Sequence, residues 1–162
     1  MKCYKFGLIV LMTLSLGACL RAEEAAPVVV DLRADAQHAR ANRLPIILFF
    51  HSRSCPFCRE VDEQYLQPLE RQNAQAPIFL LRRVEIEQTQ PLITFSGHRT
   101  DFRSFAQQQG VRLVPYLRFV GPDGEGLAPD LVGLSTRDFY GGYLDEAVAL
   151  ARKMLRTTTP SR

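Results

Sequence analysis

Cys55 and Cys58, separated by Pro56 and Phe57, are the residues of this sequence best suited to covalent chemistry. Cysteine attacks as the thiolate, so what matters is whether the surroundings favour negative charge. Pro56 fits the first position of a helix, where its fixed φ helps and its missing N–H costs nothing. Cys55 would then sit at a helix N-terminus, where unpaired N–H groups and the macrodipole favour an anion. Cys58 follows three residues later, on the same helix face and within disulfide reach. The spacing describes an attacking thiol with a resolving thiol beside it, in a reaction that calls for no cofactor.

The residues around the pair carry weaker signals. His51, at the end of an apolar run, could add positive charge or relay protons, although the plainer reading is a half-exposed histidine at a strand end. Arg53 and Arg59 would favour the thiolate electrostatically, and Phe57 suits an apolar docking surface. The two cysteines could instead supply half of a zinc site. Zinc wants four ligands, however, and His38, His51 and His98 are scattered without ligand spacing, so no metal is expected.

The elements needed to position the pair can be read along the chain. With 162 residues, 46% of them hydrophobic, one compact domain with a real core is expected. Residues 1–19 read as a signal peptide: Lys2 and Lys5, an apolar stretch from Phe6 to Leu16, and small residues at the end. Without those lysines the charge is nearly balanced, and no basic stripe suggests nucleic acid. The ending Leu16-Gly17-Ala18-Cys19 resembles the bacterial lipobox, which implies lipidation of Cys19; ordinary cleavage would leave Cys19 free. Export would place the domain where disulfide exchange is routine. Residues 20–30 form a spacer, 31–156 the domain, and 157–162 a polar tail expected to be mobile.

Within the domain, Asp31 to Arg43 is expected as a helix and Pro45 to Phe50 as a buried, central, parallel strand. The helix from Pro56 should bury Val61, Tyr65 and Leu69, turn Asp62, Glu63 and Gln67 to water, and be kinked or divided at Pro68. Pro77 to Ile86 reads as a strand, Glu87 to Thr100 as a polar connection, and Asp101 to Gln109 as a helix capped by Asp101 and stopped by Gly110. Val111 to Val120 leads through the turn Gly121-Pro122-Asp123-Gly124 to Leu127–Val132, an antiparallel partner that Pro129 confines to an edge. Ser135-Thr136-Arg137-Asp138 is a capping box. It opens a last helix with Tyr143, Ala147, Leu150 and Met154 in register, firm only after Gly141-Gly142.

This order of elements, with Cys-Pro-Phe-Cys and a Val-Pro strand about 57 residues later, resembles the thioredoxin superfamily over roughly Leu32 to Leu155. More narrowly it is similar to exported thioredoxin-like proteins of sulfur oxidation and periplasmic thiol reduction. The matching stretches are Phe95-Ser96-Gly97, Gly110-Val111-Arg112-Leu113-Val114-Pro115 and Pro122-Asp123-Gly124. The resemblance implies an α/β thioredoxin-like fold, a central mixed sheet with a parallel core and an antiparallel hairpin, flanked by helices. It also implies a cis Val114–Pro115 peptide facing Cys55, with Pro56, Phe57, Val114 and Pro115 as the substrate-binding residues.

Two departures matter. Thioredoxins carry a buried Asp six residues before the first cysteine, where this chain has Phe49, so proton transfer would pass to water, Glu85 or another group. Pro-Phe between the cysteines is closer to the Pro-Tyr of glutaredoxins, and there is no tryptophan. The superfamily's oxidases carry a large helical insertion before the cis-proline, and Glu87–Thr100 is too short to hold one. The resemblance therefore implies a monomeric protein-disulfide reductase acting on exported proteins and recharged by a membrane electron donor. A thiol oxidase or isomerase, or a non-catalytic metal-binding or scaffold lipoprotein, are the contrasting expectations.

Overall fold

The computed structural model describes residues 29–134 and 136–158. The signal peptide with Cys19, most of the spacer, Ser135 of the capping box and the last four tail residues lie outside this range.

The central strand is β2 (Ile46–His51), formed where β-branched and aromatic residues run together after Pro45. It pairs in parallel with β3 (Leu80–Glu85) and antiparallel with β6 (Tyr116–Val120), so its neighbours are parallel on one side only. β6 in turn pairs with the edge strand β7 (Leu131–Val132). Alternating side chains of β2 feed two cores. Ile47 and Phe49 pack with Cys58, Val61, Leu66 and the C-terminal helix, while Ile46, Leu48 and Phe50 pack with Leu32, Ala39, Phe102 and Phe105. Each large side chain buried this way contributes about 1.5–3 kcal/mol before entropy is counted.

Helices α1 (Leu32–Asn42) and α4 (Phe102–Gln108) cover the second core. Asp101 caps α4 as expected, whereas Asp31, expected as the first helical residue, is the N-cap of α1. Asp31 accepts from the Ala34 N–H at 2.9 Å, and Asp101 from the Ser104 N–H at 3.0 Å. Gly110, at φ +71°, follows α4 in the left-handed conformation that glycine reaches without strain.

The segment read as a polar connection contains a second, small sheet. β4 (Pro91–Ile93) pairs antiparallel with β5 (Arg99–Asp101) and in parallel with β1 (Val30–Asp31). Three-residue strands carry too few alternations to register as a period, and Leu92 alone supplies the buried anchor. Likewise β7 is shorter than the expected Leu127–Val132. Pro129 precedes it, and the Asp130 side chain turns to Tyr116 and Arg118.

The helix after the cysteines is neither sharply broken nor uniform. α2 (Pro56–Val61) passes through a π turn at Asp62–Leu66 into α3 (Gln67–Asn73). The wider turn, in which the Gln67 N–H donates to the Asp62 carbonyl, lies immediately before Pro68, which has no N–H to continue the ladder. It shifts the register by one residue, so that Leu66 rather than Tyr65 becomes fully buried. Asp62, expected to face water, accepts from Arg83 at 2.7 Å, and Glu70 accepts from the same guanidinium at 2.7 Å. These bonds outweigh burial and raise the Arg83 pKa, although burial is the largest single influence and acts to lower it.

The last helix, α5 (Arg137–Thr158), includes both Gly141 and Gly142 and runs on through Thr157, beyond the expected end. Its buried stripe is Tyr140, Leu144, Ala147, Val148, Ala151 and Leu155, whereas Tyr143 and Met154 are exposed. Tyr140 sets this rotation by packing on Tyr65 at 4.9 Å between ring centroids, with the small Gly141 beside the same ring. Tertiary packing thus outweighs the propensity cost of the glycine pair.

Among the described residues the buried Tyr140 hydroxyl has no hydrogen-bond partner. Burial, aided by Tyr65, pushes its pKa well above the usual tyrosine value. Removing an unsatisfied polar atom relieves its desolvation cost, so Tyr140→Phe should hold or raise stability by up to about 1 kcal/mol in urea unfolding. A loss of stability would show that the hydroxyl is satisfied.

Candidate functional site

β2 delivers the chain to the site and a tight turn reverses it. The Cys55 N–H donates to the Ser52 carbonyl at 3.2 Å, leaving Cys55 extended (φ −88°, ψ 108°) as the N-cap of α2 with Pro56 in the first turn. The Cys58 N–H donates to Cys55 Sγ at 3.1 Å, so the helix end directs a donor at this sulfur. Cys55 and Cys58 are joined as a disulfide across a Cα–Cα distance of 5.2 Å, within the usual range. The two sulfurs are not equivalent: Cys55 is half-buried, whereas Cys58 is only 2% exposed beneath it. A substrate sulfur can therefore reach Cys55, and Cys58 is placed to attack Cys55 from inside.

The opposite wall comes from the loop before β6. The Val114–Pro115 peptide is cis, and the Val114 carbonyl oxygen lies 3.9 Å from Cys55 Sγ. A disulfide sulfur carries no proton, so this is a close approach rather than a hydrogen bond. Pro115 is buried, and its carbonyl accepts from the Gly133 N–H at 2.8 Å, which pins the loop to the edge of the sheet. Exposed apolar side chains lie in the segments that border this end: Phe57 (49% exposed), Leu113, Val132 and Phe139.

The flanking residues are brought to the same end with different roles. Arg53 reaches Glu85 at 3.3 Å, and Glu85 also accepts from Gln88 at 2.6 Å, so this carboxylate is held by one exposed and one half-buried partner. Phe49 is buried and stacks on His51 at 5.1 Å. Sequence reasoning missed Arg137, whose guanidinium lies 5.7 Å from the Phe57 ring centroid and is held by both Glu60 oxygens at 2.5 and 3.1 Å. The Arg137 hydrogen bond holds the half-buried Glu60 carboxyl below the usual range. No local spacing could reveal a pair so far apart in the chain. It also missed Glu87, bonded to the buried Ser52. No group of three or more His, Cys, Asp or Glu among the described residues could hold a metal ion.

Burial lowers the His51 pKa from its ordinary 6.5; Glu85, Asp62 and Glu87 oppose this and Arg83 adds to it. A histidine depressed on folding binds its proton more readily when unfolded, so stability falls as pH drops below about 6.5. Urea unfolding between pH 7.5 and 5.5 should show this slope, and His51→Gln should flatten it. An equal slope in the variant would assign the loss to other groups.

The antiparallel β2–β6 pairing beside the parallel β2–β3 pair, the cysteine pair at a helix start and the facing Val-Pro loop define a thioredoxin-like fold with a redox disulfide at its site. The model of the thioredoxin-like domain family matches residues 32–147, and the chain belongs to that family. Among solved structures, it is similar to a poplar thioredoxin h mutant (15% identity, TM-score 0.50), covering 84% of this chain and 88% of the other. It is also similar to Fasciola hepatica thioredoxin (16% identity, TM-score 0.49), covering 75% and 95%. No curated protein matches it in sequence. In general terms the site is that of a thiol–disulfide oxidoreductase.

Proposed function

We propose that this chain is an exported thiol–disulfide reductase acting on disulfides of exported proteins, held near a membrane by lipid on Cys19. The observation that carries the proposal is the asymmetric pair: an accessible Cys55 sulfur facing the Val114 carbonyl, with Cys58 buried beneath it. In the reduced protein, Cys55 thiolate attacks one sulfur of a substrate disulfide and displaces the other as a thiolate. Cys58 thiolate then attacks Cys55 Sγ and releases the second substrate thiolate. The substrate gains two electrons and the protein is left as the Cys55–Cys58 disulfide, to be reduced again by a membrane electron donor.

Docking is backbone-led, with substrate laid beside Val114-Pro115 and its apolar side chains against Phe57. The reductive direction is supported by the segment between β3 and Pro115, which holds only a short hairpin and the seven residues of α4, with no large helical insertion. Equilibration of the residue 20–162 domain with glutathione tests it. A reductase gives a potential below that of the glutathione couple and catalyses insulin reduction by dithiothreitol. A strongly oxidising value would replace this reading with that of a thiol oxidase.

A further inference from the structure

Ser52 is the buried polar side chain of the described residues, 7% exposed, and it lies in the turn that presents Cys55. Its Oγ donates to Glu87 Oε1 at 2.7 Å, accepts from the Ser54 N–H at 3.3 Å and lies 3.0 Å from Ser54 Oγ. A serine has one proton, and that of Ser52 is spent on the carboxylate. Ser54 Oγ–H must therefore donate to Ser52, and both hydroxyl protons point along the chain Ser54 to Ser52 to Glu87. Neither is left for the neighbouring Cys55 sulfur. Glu87 is exposed, with its backbone carbonyl accepting from Arg103 of α4 at 2.6 Å and its carboxylate held by Ser52.

We infer that Ser52 and Glu87 are positioning residues that poise the Cys55–Cys58 couple toward reduction of its substrates. They withhold hydroxyl donors from the Cys55 thiolate and set a negative charge behind the turn. Like charge disfavours the thiolate, and a less stabilised reduced form makes the dithiol a stronger reductant. The other charges at this end are Arg103 on the Glu87 carbonyl, Arg53 held by Glu85, Arg59 beside Cys58, Arg137 held by Glu60, and Asp62 with Arg83 near His51. All of these are left unaltered by changes at 52 or 87. The inference rests on the redox role proposed above for the cysteine pair.

Glu87→Gln keeps an oxygen to accept the Ser52 proton and removes only the charge. Ser52→Ala cuts the tether and frees the Ser54 hydroxyl to turn to Cys55. Asp123→Asn, paired with Arg40 beyond the far end of β6, is the control for loss of a surface charge. The readouts are the equilibrium constant with glutathione and the pH dependence of Cys55 alkylation in the reduced protein.

Both site variants should shift the equilibrium toward the reduced protein by about threefold or more, equal to about 14 mV for a two-electron couple. Alkylation should extend to lower pH, and Asp123→Asn should match the parent. If Ser52→Ala fails to fold, Glu87→Gln decides alone. An unchanged or opposite shift in Glu87→Gln, or an equal shift in Asp123→Asn, would overturn the inference while leaving the redox site intact. No equilibrium with glutathione in the unaltered chain would remove both.

Discussion

Cys58→Ser is expected to accumulate a covalent adduct with substrate, linked through Cys55 and released by dithiothreitol. Cys55→Ser is expected to accumulate none. Both should lose multiple-turnover disulfide reduction by about 10³-fold or more, because a nucleophile and its resolving partner act as one unit. The difference between the variants follows from burial: without Cys58 the accessible sulfur still attacks, but nothing remains beneath it to displace the substrate. Mass spectrometry of each purified variant after incubation with oxidised substrate reads the result. Equal trapping by both would reject the assignment of Cys55 as attacker.

The second large effect concerns the acid that the resemblance leads one to expect. Phe49→Asp, which restores a carboxyl six residues before Cys55, should unfold the protein rather than improve it. Phe49 is 1% exposed and packs in the core that contains Cys58, Leu117 and Phe119. Emptying such a site costs about 3–5 kcal/mol, and burying an unpartnered carboxyl there adds several more. That sum is comparable to the whole stability of a small domain. Phe49→Leu separates the two contributions and should retain the fold with a smaller loss. Urea unfolding measures both, and a folded Phe49→Asp protein of normal stability would mean that a compensating polar partner reaches this position.

Much of this was legible in the sequence because the signals were local or long. The run Ile46–Phe50, the Asp101 cap, the Cys-Pro-Phe-Cys turn and the turn at Gly121–Gly124 each contain their own physical cause within a few residues. What was not legible depends on partners distant in the chain. Tyr140 rather than Tyr143 faces the core because Tyr65 waits there, and Asp62 turns from water because Arg83 lies opposite. The hairpin of β4 and β5 is too short to show a period. At the site, the cysteines and the Val-Pro wall could be read, whereas Arg137, Glu60, Ser52 and Glu87 have ordinary identities and acquire meaning only from what they touch.

The wall of the site enters the chain long after the residues it faces. Val114 follows Cys55 by 59 positions, and Arg137 follows Glu60 by 77. At synthesis rates of about 5–20 residues per second, the cysteine pair exists for roughly 3–12 seconds before its opposite wall has been made. During that time the cysteine pair lacks β6 beside β2 and the C-terminal helix that packs in the core of Cys58. The docking wall, unlike the helix start that presents Cys55, is thus acquired late, when the Val-Pro loop and α5 arrive.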